Sequence, residues 1–479
     1  MSPTAALVFV ALLLLATPVA HALLIASGFA MWMNEPLFLF EAILNLYQPT
    51  SSFPMLAIPF FIMAGNLMMS GRFGDYLVTF AKILVGAVKG GLAQVSVVGS
   101  LFFGGVSGSA VADASALGNA LIPVQKKQRY PQGFPAAVNA ASSTISVLIP
   151  PSIPLILYGL VTETSIPKLF LAGIIPGIAL TVMFASVCYA IARIRNLPAS
   201  PAEAKNRITL PKLFDRRDAV IIAAATAALT ALVIAGALTI PAALATGIAV
   251  MLIHTTFVSR RFKWRNIPAD LVKAVPALLM PVMVVVLAKG GIVTPTEISV
   301  FAVVYALLVG ALVYRDLSFR IVAQSILTTG IMTGVIMLVI MGSSVLQWIL
   351  SYESVPENLA LFMLDTLKSP WAIIIGMNIL MILIGAFLDL PAAVLLLAPI
   401  FAGVAAQIGV DPIQLGVMMV MNLAIGLYTP PVGTTLFVSV AIERVPIGRV
   451  FVHLLPFYVT ALIVLGLISF VPGISTMLL

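Results

Sequence analysis

The sequence predicts an all-α polytopic membrane protein built on an inverted repeat, with two re-entrant hairpins and two helices broken at Pro-Pro. Three observations predict it. First, 61% of the 479 residues are hydrophobic and 9% charged, with a mean hydropathy of +1.15; soluble globular domains do not have that balance. Second, apolar stretches long enough to span a bilayer recur along the whole chain, and the alternating pattern of a membrane β-barrel is absent. Third, one order of parts occurs twice: an amphipathic helix, a long apolar stretch holding one acid, and an apolar stretch interrupted by Pro-Pro.

Composition also excludes several classes of function. The net charge of +8 is concentrated in a few loops, which reads as an orientation signal and not as a nucleic-acid footprint. Cys188 is the single cysteine, so no internal disulfide forms, and its apolar surroundings suit a small buried hydrophobe. His21, His254 and His453 have no metal-ligand spacing, and no HExxH, GxSxG or acid pair with a nearby base points to an enzyme. The apolar run 5–19 lacks a basic n-region, so it reads as part of a first membrane helix and not as a signal peptide.

In chain order, residues 5–25 make the first span. Residues 27–47 are mixed, with Asn34, Glu35, Pro36 and Glu41, and suit the interface. Residues 53–69 span, and 72–89 have the alternation of a surface helix. Residues 90–124 are too long for one crossing and are interrupted by Gly and Ser, which predicts a hairpin with its tip near Ser107–Ser109. Residues 134–160 span but carry Pro150 and Pro151, which cannot continue a helical ladder, so a broken helix lining a cavity is expected. Residues 168–192, 219–236 and 241–258 span, with a basic segment at 193–218.

The second half follows the same plan. Residues 273–288 cross, and 290–297 turn into a helix start with Thr294 or Thr296 as N-cap. Residues 298–314 and 326–349 cross, and 353–368 are amphipathic. Residues 370–409 make a second hairpin around Asp389, residues 412–442 a second helix broken at Pro430 and Pro431, and 450–478 the last span. These divide the chain into segments 1–89, 90–161, 162–368, 369–442 and 443–479, of which the second and fourth hold the hairpins and broken helices. Basic residues at 126–129, 193–218 and 260–265 share one side, cytoplasmic by the positive-inside rule. The two hairpins then enter from opposite sides.

Asp113 is the only charge between Lys89 and Lys126, and Asp389 the only one between Lys368 and Asp411. An acid at membrane depth costs roughly 2.5–3.5 kcal/mol on insertion scales, so each needs a partner. Inverted repeats with discontinuous helices are the sequence pointer to a secondary-transporter site.

At these residues the chain resembles a known family. SGSAVADASALG (107–118), AASSTISVLIPPSIPLILYG (140–159), GGIVTPTE (290–297), GAFLD (385–389), NLAIGLYTPPVG (422–433) and FPMLAIPFFIMAGNLMMSGRFGDYLV (53–78) are similar to the large membrane subunit of tripartite ATP-independent periplasmic (TRAP) transporters. The resemblance implies Na+-driven import of organic acids across a bacterial inner membrane, a periplasmic binding protein that delivers the solute, and a small four-helix membrane subunit. Because the chain opens directly on large-subunit sequence, the small subunit is expected as a separate chain. The basic insert at 193–218 and Lys289 before the GG turn depart from the pattern.

On that resemblance, two pseudo-symmetric Na+ sites are expected, built from carbonyls at helix breaks together with a carboxylate. The first comprises Ser107, Gly108, Ser109, Asp113, Ser142, Ser143 and Thr144. The second comprises Gly385, Asp389, Asn422, Thr429 and Gly433. The substrate is expected between the hairpin tips, at Ser109, Ser143, Thr144, Pro150, Pro151, Pro430, Pro431, Thr434 and Thr435. No Arg lies in the hairpins or broken helices, so hydroxyls, helix N-termini and the coupled ion would hold an acid, or Lys289 if it faces the cavity. Hairpins and broken helices would move against the remaining spans in an elevator-type motion. No metal other than sodium, no organic cofactor and no nucleic acid is expected. A stand-alone carrier without a binding protein, a channel, and H+ in place of Na+ remain open at this point, as does the identity of the acid.

Overall fold

The computed structural model describes residues 2–15, 17–34, 39–70, 73–197, 269–291 and 293–479. The chain opens with α1 (Ser2–Leu14) and α2 (Val19–Asn34), packed against each other. The single span expected at 5–25 is therefore two helices. Pro18 supplies the reason: it has no N–H for the ladder and disfavours helix at Thr17 before it. The mixed segment 27–47 divides between the end of α2 and α3 (Leu39–Tyr47). α4 (Ala57–Met69) follows, and residues 40–51 and 53–69 form a pair bent by 61°. α5 (Phe73–Val85) falls within the segment 72–89 expected to be a surface helix, and it lies on α6 (Gly91–Ser107).

α6 and α7 (Ala110–Lys127) are the arms of hairpin 1. α8 (Phe134–Ser142) runs into a 3-10 turn (Ser143–Val147), stops, and resumes as α9 (Ile153–Val161). α10 (Ile166–Ile194) is a long span. The expected spans at 219–236 and 241–258, and the basic segment from residue 198 onward, lie outside the described residues.

The chain resumes with α11 (Ala269–Gly290) and α12 (Pro295–Leu308), the latter extended by a π turn to Tyr314. Of the two expected caps, Thr294 is the one used. Its hydroxyl accepts from Glu297 N–H while the Glu297 carboxylate accepts from Thr294 N–H, a complete capping box. α13 (Phe319–Tyr352) is the longest helix among the described residues, and α14 (Val355–Leu367) is the second short amphipathic helix. α15 (Pro370–Gly385) and α16 (Leu390–Gln407) are the arms of hairpin 2. α17 (Pro412–Gly426) and α18 (Thr434–Glu443) are the pieces of the second broken helix, and α19 (Ile447–Phe470) and α20 (Pro472–Thr476) close the chain. Both breaks hold cis peptide bonds, at Pro150–Pro151 and Pro430–Pro431. Among the described residues, five helices are long and apolar enough to cross a bilayer, six crossings if the bent pair counts as one.

The two halves pack alike. The first hairpin arm lies on the first piece of the broken helix of its own half, α6 on α8 and α15 on α17. The second arm lies on the second broken piece of the other half, α7 on α18 and α16 on α9. The hairpins and broken helices therefore interlock through exchanged partners. Around them, α4 packs on α12 and α13, α2 on α13, and α10 on α6 and α19.

Candidate functional site

Hairpin 1 turns at Gly108, whose φ of +57° is the left-handed conformation that ends α6. A Cβ there would lie 2.1 Å from the Pro151 carbonyl oxygen, so only glycine lets the tip seat on the Pro-Pro break. Ser109 then caps α7, accepting from Ala112 N–H at 3.4 Å, and the Ser107 hydroxyl accepts from Ser109 N–H. One turn further on, Asp113 is fully buried. Neither of its carboxylate oxygens makes a hydrogen bond of ordinary geometry, although the Ser100 hydroxyl faces it. Ser100 in turn donates to the Ser142 hydroxyl at 3.2 Å. Asp113, Ser100 and Ser142 thus form one buried cluster between α6, α7 and α8. A buried carboxylate left without donors is costly, and a cation beside it offsets that cost.

Ser143 and Thr144 are buried close by, but their hydroxyls donate to carbonyls of their own helix, Ala140 at 2.9 Å and Ala141 at 2.6 Å. Ser146 does the same to Ser143 at 2.6 Å. Their oxygens keep lone pairs free for an ion, while their protons are committed.

The second half is arranged differently. α15 ends at Gly385, and Val432 N–H donates to Ala386 O at 3.2 Å, tying the hairpin tip to the second break. A Cβ on Gly426 would stand 2.3 Å from the Gly385 backbone, so the hairpin arm and the broken helix cross in direct backbone contact. Asp389 begins α16 but caps nothing and is exposed. Asn422 is fully buried; its Nδ2 donates to the carbonyl and side-chain oxygens of Asn378, at 2.9 and 2.8 Å, while its Oδ1 is left without a partner. Thr429 donates to Ile425 O, and Gly433 N–H to Thr429 O. Gly385, Thr429 and Gly433 therefore gather around the break. No hydrogen bond joins Asp389 to Asn422 or Thr429. Thr435 bridges the halves, its hydroxyl 3.1 Å from Ala140 O and 2.9 Å from Leu427 O, and the Thr434 hydroxyl is buried without a partner.

A cavity of about 570 Å³ lies where these parts meet. Hairpin 1 contributes Ser107–Ala112, Ser115 and Asn119; hairpin 2 contributes Asp389–Pro391; the breaks contribute Val147, Ile153 and Leu427. The facing wall comes from α4, through Asn66 and Met69, and from α13, through Ile331, Met332, Val335 and Ile336. Of the residues expected to hold the substrate, Ser109 lines this cavity. Ser143, Thr144, Pro150, Pro151 and Thr435 are buried outside its lining; Pro430, Pro431 and Thr434 also lie outside it. Lys289 is exposed at the end of α11 and does not line it. Asn66, Ser100, Ser115 and Asn119 are additions to the expected set. Ser100 could have been found from the four-residue spacing Ser96–Ser100–Gly104, a small-residue face on an apolar helix. Asn66 is the lone amide in its span.

Spanning helices, two hairpin tips and two helix breaks converging on one cavity define a multi-pass membrane transporter. The chain belongs to the family described as "Tripartite ATP-independent periplasmic transporter, DctM component", whose model matches residues 6–474. It is 41% identical over 98% of both chains to the uncharacterized protein y4mL of Sinorhizobium fredii. It is 32% identical to the C4-dicarboxylate TRAP transporter large permease protein DctM of Pseudomonas aeruginosa, over 90% of this chain and 87% of that one. It is also 32% identical to the sialic acid TRAP transporter large permease protein SiaM of Vibrio cholerae, over 89% of this chain and 86% of that one. Among solved structures, the YdaH transporter of Alcanivorax borkumensis matches with a TM-score of 0.53 at 15% identity, covering 98% of both chains, which is a likeness of fold. Members of this family are transporters and not enzymes.

Proposed function

We propose that this chain is the translocating subunit of a Na+-coupled importer of an organic acid in a bacterial inner membrane. It works with a separate small membrane subunit and a periplasmic binding protein that delivers the solute. The observation that carries the reading is the position of the cavity. Hairpin tips and helix breaks form one wall, and α4 and α13, which belong to neither, form the other. A site on such a seam changes its exposure when one wall slides past the other, which is what an elevator requires. The exchanged packing of α7 with α18 and α16 with α9 supports an inverted repeat that moves as one body. Asp113, buried with only the Ser100 hydroxyl facing it, suits a coupling cation, with the Ser142 hydroxyl and carbonyls of the adjoining 3-10 turn as further ligands. Asp389 serves the second ion from the cavity side, on a hairpin tip that Val432 N–H ties to the second break. The relatives named for a C4-dicarboxylate and for sialic acid both point to a carboxylate as cargo.

The test is uptake of a labelled acid into proteoliposomes that hold this chain and the small subunit, with the binding protein outside. Uptake driven by an inward Na+ gradient and absent with K+ is the expected result. Uptake without the binding protein, or a steady single-channel current, would overturn it.

A further inference from the structure

Resting on the carboxylate reading above, we infer that the cargo is a monocarboxylate with an apolar body, anchored by Ser107 and Ser109, and neither a dicarboxylate nor a polyhydroxylated acid. The inference comes from what the cavity offers a ligand. Among the described residues that line it, Asp389 is the only charged one, so no basic side chain is there to pair with a second carboxylate, and the one ion assigned to this wall is already paired with Asp389. A second anionic group would meet Asp389 or an apolar wall, and either costs affinity.

The donors available to a first carboxylate are at one end. The Ser107 and Ser109 hydroxyls accept backbone hydrogen bonds from Ser109 and Ala112, and neither gives its proton to an acceptor among the described residues. This sets them apart from Ser143, Thr144 and Ser146, whose protons go to carbonyls of their own helix. A carboxylate accepts only, so free hydroxyl protons are the groups it can use.

Beyond that end, the polar side chains of the lining are Asp389, Ser115 and two amides. Asn66 gives one of its two N–H groups to Thr329 Oγ1 at 2.9 Å and Asn119 one to Ser115 O at 2.8 Å, which leaves each a single N–H and its oxygen. The opposite wall is Ile62, Met69, Ile331, Met332, Val335 and Ile336. A sugar acid would bury several hydroxyls against that wall with no partner, each at a cost, whereas a branched hydrocarbon body fills it. At about 570 Å³ the cavity has room for any of these acids, so polarity and not size decides among them.

The experiment measures binding to this chain directly, because a binding protein imposes its own selection on uptake. The purified full-length chain in Na+ is titrated with isovalerate, succinate and gluconate, and each apparent Kd is read from the rise in Tm. Isovalerate is expected to bind about tenfold tighter than the other two, the scale of one unmatched buried polar group. Ser109→Ala should weaken isovalerate about tenfold. Val335→Arg, which puts a cation on the apolar wall and leaves the α7 cap intact, should strengthen succinate about tenfold. Succinate or gluconate binding as tightly as isovalerate, or Val335→Arg leaving succinate unchanged, overturns this inference and leaves the carboxylate reading standing. No shift with any acid, together with no difference between Na+ and K+, overturns the carboxylate reading itself.

Discussion

Asp113 and Asp389 are each the lone acid of a hairpin, yet their positions and surroundings differ. Asp113 is sealed between α6, α7 and α8, one turn past the tip, with no hydrogen bond to either oxygen. Asp389 stands at the tip itself, at the start of α16, open to the cavity. Being the lone acid of a hairpin therefore does not fix the energetics of the group. A sealed carboxylate depends on its cation because water cannot reach it, and an open one can be satisfied by either.

The sharpest way to break this comparison is to neutralise each acid and measure Tm in Na+ and in K+. Asp113→Asn should raise the Tm in K+, because it removes a buried charge, and should remove most of the rise on adding Na+, leaving the smaller share of the Asp389 site. The lost ion interaction is expected to be on the order of 3–5 kcal/mol. Asp389→Asn should leave the Tm in K+ within about 0.5 kcal/mol of wild type. It should weaken the Na+ response without removing it, by about 1 kcal/mol, as an exposed pair does. Equal behaviour of the two variants would mean that both acids sit in equivalent sites.

How much of this was legible in the sequence depended on distance along the chain. The hairpin tip at Ser107–Ser109, the breaks at the two Pro-Pro pairs and the Thr294 cap are local events, set by residues within one or two turns, and each falls where the sequence places it. The apolar content of the opening span hides Pro18, which divides it into two helices. The facing wall of the cavity was not legible. Nothing near Asn66 or Val335 announces that α4 and α13 meet the hairpins, since that contact depends on the packing of segments far apart in sequence. Nor was the fate of the serine protons. Ser143 and Ser109 look alike in sequence, and only the backbone around them decides that one donates inward and the other is free.

Glycine gives a second comparison between the halves. Gly108 combines a φ of +57° with a Cβ position 2.1 Å from the Pro151 oxygen, whereas Gly426 is an ordinary helical residue whose Cβ would stand 2.3 Å from the Gly385 backbone. Gly108→Ala meets both the left-handed penalty and overpacking, together about 2–5 kcal/mol, and Gly426→Ala overpacking alone, about 1–3 kcal/mol. Thermal unfolding of the two variants should show the larger loss in hairpin 1. A larger loss at Gly426 would place the tighter seat in the second half.

A third comparison tests how the halves are joined. Glu443, at the end of α18, is fully buried, and its carboxylate accepts from Gly133 N–H at 2.7 Å and Ala136 N–H at 2.8 Å, the first turn of α8. Lys126, at the end of α7, donates to the Glu443 carbonyl at 2.8 Å. One residue of the second broken helix thus caps the first and holds the end of hairpin 1, and a carboxylate is favoured at a helix N-terminus. Glu443→Gln retains one acceptor oxygen and loses the charge, so stability should fall by about 1–2 kcal/mol. Lys126→Met leaves the carboxylate cap in place and removes only a partly exposed donor, so it should cost about 1 kcal/mol or less. Because the two groups share Glu443, the double variant should lose less than the sum of the singles. Strict additivity would mean that the cap and the lysine act independently, and that the halves are joined by packing of α18 on α7 and α8 alone.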